Sequence, residues 1–253
     1  KTALISGAVQ QEGVINIDRP ISAKQAIDYV GGFTEKSFKR GVYVEYQNGL
    51  RKVTKSFLFF NFYPRVYPGS KVVVANDVNA ALFGEWKYGS GRGKNDLAML
   101  ALGTGVGGAL VVDGKLIQGS HNGAGEFGHM VIQRDGLKCA CGTNGCLEAY
   151  AGARGIVQRS GTELTVAQLC KNAEAGQKQA IDLFTETGKY LAIGVGNLIN
   201  ILDPDLVIIG GGVAQAGDLI IKPCIEEVSR YVLSSISSEE VVKCAELGVM
   251  SAA

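Results

Sequence analysis

The sequence predicts an α/β protein of two lobes, and three observations carry that reading. Short β-branched runs of buried-strand character, such as Val72-Val73-Val74 and Leu206-Val207-Ile208-Ile209, alternate with longer stretches of helical period. A chain of 253 residues can bury roughly 70% or more of its unfolded surface, as one large or two modest domains. With 46% hydrophobic and 19% charged residues the composition is that of a folded globular protein, which removes disordered and collagen-like readings.

In chain order, Thr2 to Ser6 and Gly13 to Ile17 read as a hairpin, and Ala23 to Val30 as a helix. Residues 33 to 67 are mixed and resist assignment. Lys71 to Ala75 is a buried strand, and Asn76-Asp77 starts a helix whose apolar face is Ala80, Ala81, Leu82 and Trp86. Leu97 to Leu102 and Val106 to Val112 are strands, and Asp113-Gly114 turns the chain into Lys115-Leu116-Ile117. Gly119 to Glu148 is glycine-rich and irregular, and it holds both histidines. Helices follow at Val166 to Glu174 and Lys178 to about Leu202, then the strand Leu206 to Ile209, then a helix over Leu219 to Val232. No low-complexity linker or repeat interrupts this order.

The 25 Lys+Arg against 24 Asp+Glu leave a net charge of +1, no electrostatic footprint for a nucleic-acid backbone or an acidic membrane. No apolar run approaches the ~20 residues that span a bilayer, and the opening residues are too short for a signal peptide. Of six cysteines, Cys139, Cys141 and Cys146 crowd one segment, while Cys170, Cys224 and Cys244 are scattered. A secreted disulfide framework is small and cysteine-dense, so this usage predicts a cytoplasmic protein. Thirty-five glycines, about twice average usage, are concentrated in particular loops, as expected where backbone approaches a ligand closely or turns tightly.

Four motifs carry chemistry. His129 with Cys139, Cys141 and Cys146 supplies one imidazole and three thiolates, the closed tetrahedral set of a structural Zn²⁺. The alternative is three reduced thiols in a loop beside a hydrogen-bonded histidine. Gly103-Thr104-Gly105-Val106-Gly107-Gly108 matches a dinucleotide fingerprint, but strand rather than helix follows it. The glycines therefore fall in a β-hairpin, where backbone N–H groups and the Thr104 hydroxyl form a phosphate-binding nest; a plain hairpin turn is the alternative. Asn76-Asp77 stands where a buried strand ends and a helix begins. Either residue can be an N-cap, and Asp77 can also accept a hydroxyl proton in phosphoryl transfer. Finally, Glu126 and Glu148 flank the cysteine-rich segment, where paired carboxylates suit a polyol.

In combination these residues resemble one family, the ROK sugar kinases and repressors. The resemblance runs from about Val72 to Val213, through Asn76 to Ala81, Leu102 to Gly108, Glu126-Phe127-Gly128-His129, Cys139 to Glu148, and Ile209-Gly210-Gly211-Gly212. It implies a two-lobed actin-like ATPase (ribonuclease H-like) fold with a cleft between lobes. Residues 1–74 would form the small α/β lobe, incomplete at its N-terminus and completed by about 247–253, and residues 75–246 the large lobe with the zinc loop. The implied activity is ATP-dependent phosphorylation of a hexose 6-hydroxyl, glucose first, with N-acetylmannosamine, N-acetylglucosamine, mannose or fructose as alternatives.

By the same resemblance Asp77 is the general base, and Asn76, Asp77, Glu126, His129 and Glu148 bind the sugar. Gly103, Thr104 and Gly105 contact ATP phosphates and Gly210, Gly211 and Gly212 the adenosine. His129, Cys139, Cys141 and Cys146 bind zinc, Mg²⁺ accompanies the nucleotide, and the chain is expected to form a homodimer. The family's Asp-x-Gly-Gly-Thr phosphate loop and its Gly-Pro-Gly sugar loop are not found, which predicts that these residues belong to a longer natural polypeptide. Two rivals are a sugar-sensing repressor of the same family and an NAD-dependent oxidoreductase, the latter disfavoured by the hairpin context.

Overall fold

A computed structural model describes residues 2–34, 37–57, 60–120, 123–233 and 238–247. The chain divides into two compact units with the boundary between Ala81 and Leu82, inside a helix, where the sequence reading set it at 74/75. The tail expected to complete the smaller lobe falls, beyond Leu247, outside the described residues.

The first unit contains strands β1 (Thr2–Gly7), β2 (Gly13–Asn16) and β3 (Ile21–Ser22), helix α1 (Ala23–Tyr29), and strands β4 (Ser37–Glu45), β5 (Arg51–Val53), β6 (Lys55–Phe57), β7 (Phe60–Phe62), β8 (Arg65–Val66) and β9 (Lys71–Asn76). Its main sheet has the order β2-β1-β9-β4-β5. The predicted hairpin is there, with Ala3 opposite Ile15 and Ile5 opposite Gly13, and β1 runs parallel to β9. Helix α1 begins with a reciprocal cap: the Ser22 hydroxyl accepts from Gln25 N–H, and the Gln25 side chain accepts from Ser22 N–H. Its buried face, Ala23, Ala26 and Ile27, packs with Ala3, Ile5, Val42, Val44 and Val72. The stretch that resisted assignment holds strands of two or three residues, and β4 loses register between Ser37 and Val42.

Strand β9 feeds directly into helix α2 (Asp77–Tyr88). The second unit then places β10 (Leu97–Leu102), β11 (Val106–Val112) and β12 (Lys115–Ile117) as an antiparallel meander. After the irregular segment come α3 (Glu148–Ala151), α4 (Ala153–Ser160), α5 (Val166–Glu174) and α6 (Lys178–Leu202). Strand β13 (Leu206–Gly210), α7 (Asp218–Val228), α8 (Ser238–Val241) and β14 (Val242–Cys244) complete it. The sheet order is β12-β11-β10-β13-β14, with β10, β13 and β14 parallel.

The core of this unit lies between the sheet and α6, whose Leu191, Val195, Leu198 and Ile199 are fully or almost fully buried. Helix α7 crosses close, because a Cβ on Gly188 of α6 would sit 2.5 Å from the Ile220 carbonyl oxygen. It also ends earlier than its apolar pattern predicts, at Val228 rather than Val232. The chain there leaves the helix through i→i+3 turns, and just beyond them the Asn200 side-chain amide on α6 donates to the Tyr231 carbonyl at 2.6 Å while its oxygen receives Leu233 N–H. Among the described residues, no helix is long and apolar enough to cross a membrane.

One buried charge organises the end of α2. Glu85 is 0% exposed, and its carboxylate accepts from Ser90 N–H and hydroxyl, both at 3.0 Å, and from Glu246 and Leu247 N–H at 3.2 and 2.8 Å. It joins the exit of β14 to the C-terminal half of α2. Removing it orphans three backbone donors, so Glu85→Ala is expected to destabilise the chain by roughly 3–5 kcal/mol. Urea unfolding with an unchanged m-value checks this, and a loss below about 1 kcal/mol would contradict the role.

Candidate active site

In the first unit, Asn76 closes β9 and Asp77 opens α2. The capping duty falls to Asn76, whose Oδ1 accepts from Val78 N–H at 2.8 Å and from Asn79 N–H at 3.4 Å. Asp77 Oδ1 takes a second bond from Val78 N–H at 2.9 Å. The carboxylate thus sits in the first turn of a helix just outside the carboxyl end of a strand, where α/β folds bind ligands.

All other predicted site residues lie in the second unit. Gly103, Thr104 and Gly105 form the three-residue turn between the antiparallel strands β10 and β11, which is the hairpin context that a dinucleotide fingerprint lacks. The nest is narrower than the sequence suggests. Gly103 N–H is taken by the Gly105 carbonyl at 2.9 Å, and Val106 N–H by Glu148 Oε2 at 3.1 Å. Among the described residues, the amides of the turn with no backbone acceptor are those of Thr104 and Gly105. The carbonyls of Gly103 and Thr104 point the other way and accept from Ala153 and Arg154 N–H, the first turn of α4. Gly210 to Gly212 come beside this turn, since Gly210 pairs with Ala101 and Gly211, at φ +92°, approaches the Leu102 backbone.

Glu126 precedes a short 3-10 turn over Phe127–His129 that lies flat on β11. A Cβ on Gly128 would collide with the Val106 carbonyl, and one on Gly108 with the Gly125 carbonyl. The spacing of glycines in this motif is therefore a demand of backbone on backbone. It holds His129 so that Nδ1 faces Cys139 Sγ at 3.7 Å while Nε2 faces Glu126 Oε2 at 3.9 Å.

The cysteines sit on a small knuckle. Cys139 N–H donates to the Thr143 carbonyl at 2.8 Å, Gly142 N–H to the Cys139 carbonyl at 3.0 Å, and Gly145 N–H to the Leu137 carbonyl at 2.7 Å. The ligand atoms of His129, Cys139, Cys141 and Cys146 all lie within 4.8 Å of one another, and Cys141 and Cys146 Sγ are 3.7 Å apart. Ligands at zinc distances span tetrahedral edges of about 3.6–3.8 Å, so this donor set fits Zn²⁺ in both chemistry and spacing. Cys170, Cys224 and Cys244 take no part in it.

The thiols press on one another. Burial pushes Cys139 up, and burial followed by hydrogen bonding with Cys141 pushes Cys146 up to about 12. Exposed Cys141 is drawn down to about 7, chiefly by the Thr143 backbone N–H and then by Cys139. Three thiols this close can all ionise only beside a cation.

Two supports of the knuckle carried no local signal in the sequence. The Tyr150 hydroxyl receives Leu137 N–H at 2.8 Å, and its ring packs on Tyr190 with centroids 4.2 Å apart. Arg159 stacks over Tyr190 and donates to the Tyr150 carbonyl at 2.8 Å and to the Thr187 hydroxyl.

The description "ROK family" matches residues 68–253. A glucokinase of Halalkalibacterium halodurans is 36% identical over 197 residues, covering 70% of this chain and 59% of that protein. A ROK family glucokinase from Streptomyces griseus, solved in complex with glucose and AMPPNP, superposes with a TM-score of 0.65 at 32% identity, covering 71% of this chain and 65% of that one. The xylose repressor of Bacillus subtilis is 27% identical over 180 residues, covering 70% of this chain and 47% of the repressor. The chain thus spans less than two thirds of the length of these proteins.

Metal binding at this cluster is expected at one zinc per chain, lost in Cys146→Ser. The bound form needs thiolates, whereas Cys146 at about 12 is protonated across the neutral range. Binding therefore releases protons, and apparent affinity weakens as pH falls. A competition titration with a chromophoric chelator should give binding at least about tenfold tighter at pH 8 than at pH 7. A pH-independent affinity would contradict ligation by these thiols.

Proposed function

The chain belongs to the ROK family, and from that premise we propose that it is an ATP-dependent hexose kinase acting on a 6-hydroxyl, with glucose the first candidate. One observation carries the reading. Within one unit, a turn offering two backbone amides packs against a segment offering Glu126, Glu148 and the outer nitrogen of His129. Amides suit a phosphate, and carboxylates with an imidazole suit the hydroxyls of a sugar. The glucokinases among the relatives support this pairing of ligands.

In the proposed reaction Asp77 accepts the proton of the 6-hydroxyl as its oxygen bonds to the γ-phosphorus, the bridging bond breaks, and ADP leaves with the electron pair. Asn76, Glu126, His129 and Glu148 orient the sugar. Thr104 and Gly105 hold the phosphates, with Gly103 as the bend between them and β10, and Gly210 to Gly212 take the adenosine. Catalysis then rests on positioning and charge. Mg²⁺ would neutralise the transferring phosphates, and zinc on His129, Cys139, Cys141 and Cys146 would shape the loop with no position open for water. A cytoplasmic homodimer fits this reading.

ADP release with Mg-ATP against glucose, mannose, fructose and both N-acetylhexosamines tests the proposal. Sugar-dependent turnover is expected, greatest with glucose, and Asp77→Ala should lower kcat by about 10²- to 10⁴-fold with the sugar KM little changed. Sugar binding without turnover would favour a sensor related to the xylose repressors instead.

A further inference from the structure

A single carboxylate stands between the cysteine cluster and the glycine turn. Glu148 Oε2 accepts Val106 N–H at 3.1 Å, and Oε1 faces Cys139 Sγ at 3.6 Å. Gly105 lies so near that a Cβ there would collide with Oε2. Glu148 opens α3 two residues after Cys146, and the corner from α3 to α4 also bonds the same turn. There Ala153 N–H donates to the Gly103 carbonyl at 2.9 Å and Arg154 N–H to the Thr104 carbonyl at 3.3 Å. At the corner itself, a Cβ on Gly152 would stand 3.0 Å from Gly105 Cα. The turn is thus held at several points by one short stretch of chain whose N-terminal neighbour is a cluster cysteine.

We infer that Glu148 is a positioning residue for the nucleotide turn, so that metal at the Cys139, Cys141, Cys146 and His129 cluster and nucleotide at Thr104 and Gly105 bind with positive coupling. This rests on the kinase reading for the nature of the ligand and goes beyond it, since that reading puts Glu148 on the sugar. An ion drawing four donors together fixes the hairpin that carries Cys139 and the segment that carries Cys146. The segment of Cys146 leads within two residues to Glu148, so fixing it sets the start of α3, while the Cys139 thiol gives up its proton, and with it the bond to Glu148 Oε1, on metal binding. With Glu148 fixed, Val106 is fixed, and the adjacent amides of Thr104 and Gly105 meet a phosphate already in place instead of being ordered by it. The coupling is reciprocal, so nucleotide must also tighten the metal.

Calorimetric titration of Mg-ADP into zinc-loaded and chelator-stripped protein tests this, in the natural sequence and in Glu148→Ala and Glu148→Gln. Stripping should weaken nucleotide binding about tenfold in the natural sequence. Glu148→Ala should already be about tenfold weaker with zinc bound and lose less than twofold more on stripping. Glu148→Gln, whose amide oxygen still accepts Val106 N–H, should keep most of the coupling. Hydrogen exchange read across residues 103–106 should accelerate on stripping in the natural sequence and not in Glu148→Ala. Equal loss on stripping in the natural sequence and Glu148→Ala overturns the inference, and so does exchange at the turn that ignores the metal. Absence of nucleotide binding by the zinc-loaded protein sinks the kinase reading instead, and the exchange measurement then decides the coupling alone.

Discussion

Around the turn from Gly103 to Val106, backbone must lie on backbone. Gly152 rests against Gly105, Gly128 against the Val106 carbonyl, Gly108 against Gly125, and Gly211 against Leu102, each at a separation where a side chain would meet backbone. The hairpin β10–β11 supplies the frame, since its antiparallel ladder runs from Leu97 opposite Val111 to Leu102 opposite Val106. The candidate sugar and nucleotide residues of the second unit are arranged around that frame. Glu126 and His129 are carried on the segment lying on β11, Glu148 on the corner that receives the turn, and Gly210 to Gly212 on the neighbouring parallel strand. The abundance of glycine follows from this packing as much as from ligand contact.

The segment between β12 and α3 has little regular structure and only a small core of its own. Buried Cys139, Cys146, Ala149 and Tyr150 pack with Ile132, Leu137 and Tyr190. A core this small contributes modestly, and the chain there is held chiefly by backbone bonds across the knuckle and by the Tyr150–Tyr190–Arg159 stack. A bound ion would replace missing hydrophobic burial with four coordinate bonds at the most irregular stretch of the unit. The mutual disturbance of the three thiols points the same way, because the arrangement that crowds them is the arrangement a divalent cation relieves.

Much of this was legible in the residue order, for reasons that are local. The meander from Leu97 to Ile117 and the helices from Val166 to Leu202 show in apolar period and turn residues, and the metal donor set shows in cysteine spacing. What was not legible is side chain bonded to distant backbone. Glu85 holding Leu247, Asn200 holding Tyr231, Tyr150 receiving Leu137 and Glu148 receiving Val106 join positions that no window of sequence contains together. Strands of two and three residues, as in β5 to β8, leave too little alternation to read. The Asn76-Asp77 pair was ambiguous because both residue types cap helices equally well. Geometry assigns the capping oxygen to Asn76.

That assignment bears on how one scaffold can serve more than one purpose. The relatives include both glucokinases and a xylose repressor, so membership of the family does not by itself choose between turnover and sensing. Carboxylates and an imidazole can hold a sugar in either case. Turnover asks for two things more: a carboxylate able to take the hydroxyl proton, and amides held in readiness for phosphate. At the helix start Asn76 takes the N–H groups of Val78 and Asn79, and Asp77 shares only the first of them. In the turn the Gly103 and Thr104 carbonyls are anchored on α4, while the Thr104 and Gly105 amides find no backbone acceptor among the described residues. Donors fixed before the charge develops need no reorganisation when it does, which is what the proposed phosphoryl transfer would ask of such a turn.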